Sequence, residues 1–87
     1  MPTTSTEYLE LDKQSIWHPF TKHSAIAEHP FPVIARGDGP FLYDADGNRY
    51  LDAISSWWCC NLGHSHPRMV EALKQQCGML QHSILGN

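Results

Sequence analysis

Apolar residues recur at Val70, Leu73, Cys77 and Leu80, steps that line one face of an α-helix. Pro67 sits where a first helical position belongs, since its missing N–H is not needed there, and Ser65 or His66 precedes it as a cap. The spacing predicts an amphipathic helix over residues 67 to about 80. Glu71 falls near its positive end, and Gly78 weakens its last turns by about 1 kcal/mol relative to alanine. Upstream the period changes to two. Val33-Ile34-Ala35-Arg36 and Phe41-Leu42-Tyr43-Asp44 read as strands separated by Gly37-Asp38-Gly39-Pro40, with Phe41 and Tyr43 on one face. Ala45-Asp46-Gly47-Asn48 is turn chemistry, because Asp-Gly supplies the positive φ of a tight hairpin. Arg49-Tyr50-Leu51-Asp52 returns as the partner strand, so a small antiparallel meander is expected over about 33–52.

The flanks are less regular. Residues 1–7 are polar and rich in Thr and Ser, which predicts a frayed start. Tyr8, Leu9, Leu11 and Ile16 allow one short amphipathic helix with Asp12 and Lys13 on its wet side, stopped by Pro19. Residues 1–15 therefore read as a flexible N-terminus or a short helix, and 16–87 as the segment proper. Three prolines between His18 and Pro32 predict mostly irregular structure there. From Ala53 to Gly63 the chain is apolar without a period, and 53–66 reads as an aromatic loop. The expected class is α+β, a small antiparallel meander plus an amphipathic helix.

Composition adds one constraint. Hydrophobic residues make up an ordinary 41% of the 87 positions, but charged residues only 17%, against about 25% in typical domains. A small free-standing domain has a high surface-to-volume ratio, so a charge deficit implies that part of the surface is covered. That points to a fragment or an obligate partner. Six basic and nine acidic residues give a net charge of −3, with no basic patch to exchange for counterions, which argues against nucleic acid. No apolar run approaches the roughly 18–20 residues of a membrane span. Met1 to Glu7 has neither the basic start nor the apolar stretch of a secretory signal. Cys59, Cys60 and Cys77 are odd in number and two are adjacent, so no disulfide framework is expected. These features predict a cytoplasmic chain with reduced thiols.

Candidate chemistry narrows quickly. His64 and His66 lie close to the cysteines, but a zinc site needs ligands that converge, usually on a C-x-x-C knuckle. Adjacent cysteines diverge, and Cys60-x-x-x-His64 fits no knuckle, so no metal site is expected. Asp44-Ala45-Asp46-Gly47-Asn48 fails as a calcium loop, because Leu42 would stand first and Ala53 twelfth. There is no G-x-G-x-x-G, Walker or G-x-S-x-G pattern. A Cys59 or Cys60 nucleophile with a histidine base stays open, since such pairs are made in space. The unusual feature is Trp57-Trp58. Core packing is one reading, but small and polar neighbours (Ser55, Ser56, Asn61, Gly63) favour a loop whose rings wall a slot for an aliphatic or planar ligand. His18-Pro19-Phe20, next to Trp17, is the candidate opposite wall. Tryptophan pairs also anchor interfaces.

Two stretches, Ile16-Trp17-His18-Pro19-Phe20-Thr21 and Asp52-Ala53-Ile54-Ser55-Ser56-Trp57-Trp58, closely resemble the N-terminal part of the adenosylmethionine-8-amino-7-oxononanoate aminotransferases, the diaminopelargonic acid synthases of biotin biosynthesis. Gly63-His64-Ser65-His66-Pro67 resembles the G-x-x-H-P element of class-III aminotransferases at large, and His82 and Gly86 fit the H-x-x-x-G pattern that follows. The resemblance implies the N-terminal part of a fold-type-I, pyridoxal-5'-phosphate-dependent homodimer. Such an enzyme moves an amino group from S-adenosylmethionine to 7-keto-8-aminopelargonate, giving 7,8-diaminopelargonate. It further implies that Trp57 contacts the keto-acid, that Trp58 lines the same pocket, and that Phe20 stands where some members carry a substrate-binding tyrosine. Phenylalanine keeps the stacking face without the hydroxyl. By the same resemblance, the cofactor-anchoring lysine and the other catalytic groups lie beyond residue 87. Lys13, Lys22 and Lys74 match none of those motifs. Substrate-pocket walls, with no catalytic, cofactor-binding or metal residues, are thus expected here. The rival expectation is a self-contained interaction or zinc-binding module built on the Trp pair and the His/Cys cluster.

Overall fold

The computed structural model describes residues 1–86, so Asn87, the last residue of the expected 16–87 segment, lies outside it. Helix α1 spans Ser5–Ser15, α2 His23–Glu28, β1 Ile34–Asp38, β2 Phe41–Asp44, β3 Arg49–Leu51, α3 Ser55–Trp58 and α4 Pro67–Cys77. The strands form one antiparallel sheet in the order β1-β2-β3, with a break in register between Ile34 and Arg36. The expected α+β meander and helix are present.

The start of the chain corrects the frayed reading of residues 1–7. Thr4 caps α1: its hydroxyl accepts from the Glu7 N–H at 3.3 Å, and the Glu7 carboxylate accepts from the Thr4 N–H at 3.1 Å. This reciprocal box satisfies N–H groups that a helix start otherwise leaves open. The helix ends before Pro19, with Ile16 already extended. The stretch from His18 to Pro32 also departs from expectation, since α2 forms between its prolines. Ile26 on α2 is the buried apolar side chain among the described residues, at 7% exposure, and a single buried anchor leaves no periodic signal.

The hairpin turn is organised by one carboxylate. Asp44, only 6% exposed, accepts from the Asp46 and Asn48 N–H groups through Oδ1 and from the Asn48 amide and Tyr50 hydroxyl through Oδ2, all within 2.8–3.0 Å. Gly47 takes the positive φ of 89° that the turn demands. On the Phe41 and Tyr43 face, the Arg36 guanidinium lies 3.5 Å from the Tyr43 ring centre and that of Arg49 4.6 Å from Phe41. These cation–π contacts cover the aromatic face with charge. Ser5 ties α1 to the turn through a 2.8 Å bond to Asp46.

The hydrogen bonds, led by that of the Asn48 amide, hold the Asp44 carboxyl below the usual aspartate range. The bond that the Tyr50 hydroxyl donates to Asp44 in turn raises the Tyr50 phenol. A depressed carboxyl stabilises the fold above its unfolded value and loses that contribution as pH falls through the folded value. A raised phenol works the other way: its contribution is complete below the unfolded value and disappears as pH rises through the folded one. Carboxyl-carbon NMR should therefore show Asp44 titrating below the ordinary aspartate range. In Asn48→Ala its midpoint should move up; an unchanged midpoint would refute the amide's part.

Helix α4 is shorter at its end than the sequence pattern suggests, stopping at Cys77 with Gly78 as its cap. Pro67 is its first residue, as expected. The capping expectation is corrected, because His66 occupies the cap position without a side-chain bond and Ser65 instead donates to the Gly37 carbonyl at 2.7 Å. Glu71 lies past the first turn and accepts from Gln75 at 3.1 Å, so it does not serve the helix dipole. Large apolar side chains stand open along the chain, including Trp17 at 90%, Leu73 at 62% and Leu80 at 53% exposure. A surface of that kind agrees with the covered surface that the low charge implies.

Candidate functional site

Three segments converge beside the open end of the sheet. Asp52 follows β3 directly, and its N–H donates to the Pro40 carbonyl at 2.9 Å. Residues 63–65 return along the β1–β2 turn: the Gly39 N–H donates to the His64 carbonyl at 3.1 Å, and the His64 N–H to the Gly39 carbonyl at 2.8 Å. Close approach requires glycine. A Cβ on Gly37 would stand 2.6 Å from that of His64, and one on Gly63, at φ 75°, 3.0 Å from the Gly39 oxygen.

Between these anchors, α3 is a single turn of left-handed helix. Ser55, Ser56, Trp57 and Trp58 have φ of 51°, 48°, 65° and 63°. L-residues other than glycine adopt this conformation at a cost of roughly 1–2 kcal/mol each, so four in succession need outside support. Backbone bonds supply some: Trp58 N–H to Ile54 at 2.8 Å and Cys59 N–H to Ser55 at 2.9 Å. The Asp52 carboxylate supplies more. It accepts from the Ser56 N–H at 3.0 Å and the Ser56 hydroxyl at 2.7 Å, and its Oδ2 lies 2.8 Å from His64 Nε2. The Ser56 backbone and hydroxyl bonds, with His64 behind them, keep the Asp52 carboxyl below the usual aspartate range.

The turn presents its aromatic side chains outward. Within this segment Trp57 is 63% and Trp58 76% exposed. The Trp57 and Trp58 rings meet edge to face with centroids 6.4 Å apart. Phe20, 36 residues earlier than Ser56 in the chain and 85% exposed, brings its ring to 5.8 Å from Trp57. The structure thus gathers all three residues singled out from the sequence into one aromatic cluster. Trp17 makes none of these ring contacts among the described residues. A hollow of about 340 Å³ opens beside the turn, lined by Gly39, Asp52, Ser55, Cys60 and His64 among others. The aromatic cluster stands at its side and not in its lining.

Sequence reading missed Asp52, Ser56 and His64 as a unit. Asp52 looked like the end of a strand and His64 like part of a helix start. The available signal was the pair of small polar residues after an aspartate, since Asp-x-x-x-Ser suits a carboxylate that binds a backbone N–H ahead of it. Cys59 Sγ donates to the Trp57 carbonyl at 3.3 Å and is not paired with a histidine. No group of three or more His, Cys, Asp or Glu side chains gathers at metal-ligand distances among the described residues. Nothing therefore supports the zinc-module alternative. No helix among those residues is long and apolar enough to cross a membrane.

Comparison with known proteins places this arrangement. The family model for aminotransferase class-III matches residues 23–86. The adenosylmethionine-8-amino-7-oxononanoate aminotransferase of Methanocaldococcus jannaschii is 46% identical over 74 residues, which cover 85% of this chain and 16% of the relative. The crystal structure of the enzyme of that name from the same organism superposes with a TM-score of 0.83 at 41% identity, covering 97% of this chain and 20% of the other. A taurine:2-oxoglutarate aminotransferase from Bifidobacterium kashiwanohense, solved in complex with PLP and glutamate, gives a TM-score of 0.77 at 31% identity, over 92% of this chain and 17% of its own. The chain thus spans no more than about a fifth of the length of these relatives. A family match across most of the chain and this closeness of backbone lead to one conclusion: the chain belongs to the class-III aminotransferases.

Proposed function

We propose that this chain is the N-terminal segment of a transaminase that transfers an amino group from S-adenosylmethionine to 7-keto-8-aminopelargonate, giving 7,8-diaminopelargonate for biotin synthesis. Its contribution is the wall of the substrate pocket. Phe20, Trp57 and Trp58 pack against the aliphatic keto-acid and the donor's planar adenine, and they keep water from the reacting end. The observation that carries this reading is the exposed cluster of the three rings, two of them held on the left-handed turn and the third, Phe20, brought to Trp57 from far along the chain. Similarity to the Methanocaldococcus jannaschii enzyme supports the choice of substrates.

The cofactor of the whole enzyme is pyridoxal 5'-phosphate, and these residues do not by themselves fit it. Lys13 pairs with Glu10 at 3.0 Å, Lys22 occupies the cap position of α2 without a side-chain bond, and Lys74 lies in the last turn of α4. None of them lines the hollow beside the aromatic turn. The anchoring lysine belongs to a part of the enzyme outside this segment, as does the rest of the catalytic centre. A homodimer in the cytoplasm completes the reading, and the open apolar side chains supply a surface for the rest of the enzyme to cover.

The test compares the 87-residue chain with the full-length enzyme. The chain alone should show no turnover and no stable absorbance band with pyridoxal phosphate. The full-length enzyme should hold the cofactor and form 7,8-diaminopelargonate. Turnover by the short chain overturns the division of labour. A full-length enzyme that transaminates other keto-acids but not this one overturns the substrate assignment and leaves the family intact.

A further inference from the structure

The Asp52 carboxylate has a place in this fold that the pocket reading leaves unused. It lies between β3 and the aromatic turn, with a side chain only 6% exposed. Both oxygens are engaged: Oδ1 receives the Ser56 N–H, while Oδ2 receives the Ser56 hydroxyl and faces His64 Nε2. Ser56 has a φ of 48° and directly precedes Trp57, at φ 65°. A rotation of this turn toward the right-handed region would redirect the Trp57 indole away from Phe20. The carboxylate bonds to Ser56 are compatible with the left-handed turn, and they oppose that rotation. His64 braces the other side, because its backbone is locked to Gly39 and Gly37 leaves no room behind its Cβ.

We propose that Asp52 is a positioning residue for substrate recognition: with Ser56 and His64 it clamps the left-handed turn and so fixes the Trp57 ring against Phe20. The inference rests on the reading of Trp57 as a pocket wall and extends it to a residue that need not touch substrate. Because the clamp acts through Trp57, it should lose its effect where Trp57 is absent. A purely structural residue would not show that dependence.

The experiment uses the full-length enzyme and a double-mutant cycle of Asp52→Ala with Trp57→Ala. With Trp57 present, Asp52→Ala should lower kcat/KM for 7-keto-8-aminopelargonate about tenfold, mainly through KM, with the cofactor absorbance band unchanged. In the Trp57→Ala background the same change should cost less than about twofold. Asp52→Asn keeps an oxygen for the Ser56 N–H and should recover part of the loss, which guards against a variant that merely misfolds. A second readout is independent of substrate. With every other tryptophan of the full-length enzyme, Trp17 and Trp58 included, replaced by phenylalanine, time-resolved fluorescence anisotropy should show faster local motion of Trp57 once Asp52 is alanine. Equal losses in both backgrounds, or anisotropy that does not change, overturn the clamp. If Trp57→Ala leaves keto-acid kinetics at parental values while anisotropy still responds to Asp52, the pocket reading has failed and the clamp stands.

Discussion

Trp57→Ala in the full-length enzyme is expected to lose keto-acid transamination while keeping the cofactor. An indole contributes about 150–250 Å² of contact, and truncation both removes that area and lets water into the space. Losses at aromatic anchors of this kind run to about 2–4 kcal/mol, or about 30- to 900-fold in kcat/KM. Retention of the fold is expected on the pocket-wall reading, since within this segment the ring makes its ring contacts with Phe20 and Trp58, themselves pocket residues on that reading. The half-reaction with S-adenosylmethionine shares the pocket and should weaken as well. Steady-state kinetics with each substrate, beside the cofactor spectrum, gives the answer. Parental kinetics with both substrates would remove Trp57 from the pocket; loss of fold or cofactor would return it to a packing role.

Gly37→Ala should produce the largest structural effect. The added methyl would stand 2.6 Å from His64 Cβ and 2.7 Å from Cγ, well inside contact distance. His64 has nowhere to retreat, since Gly39 holds its backbone on both sides and Asp52 faces its ring. Forcing an extra carbon into such a site costs about 1–3 kcal/mol, seen as a lower denaturation midpoint for the full-length enzyme. Gly47→Ala gives the complementary case, because its φ of 89° strains a side chain while nothing lies within 4 Å of the new carbon. If Gly37→Ala changes stability by no more than the roughly 0.5 kcal/mol of an ordinary surface substitution, the seam between the sheet and residues 63–65 is looser than its distances imply.

How much of this was legible beforehand depends on how local the physics is. The meander could be read because alternation, Asp46-Gly47 and the returning Arg49-Tyr50-Leu51 all act within a few residues. Helix α4 could be read from Pro67 and the spacing of Val70, Leu73 and Cys77. The resemblance rested on the same kind of information, and family comparison upheld it over residues 23–86. Helix α1 was underestimated although its signal was local: Thr4-x-x-Glu7 is a capping pattern hidden in a polar run. Helix α2 had no such signal, because six residues between prolines show no period and gain their order from burying Ile26.

By itself the sequence determined the strands, the hairpin, the start and apolar face of α4, the family and the three aromatic residues worth following. Each of those depends on neighbours in the chain or on a pattern of residue types. Only the tertiary structure decided that Phe20 meets Trp57, that Ser55–Trp58 turn left-handed, and that Asp52, Ser56 and His64 share one hydrogen-bonded knot. Four L-residues at positive φ run against local preference, so no propensity could announce them. They persist because a carboxylate after β3 and a histidine twelve residues on are brought together by the close pairing of Gly39 with His64, which is a long-range contact.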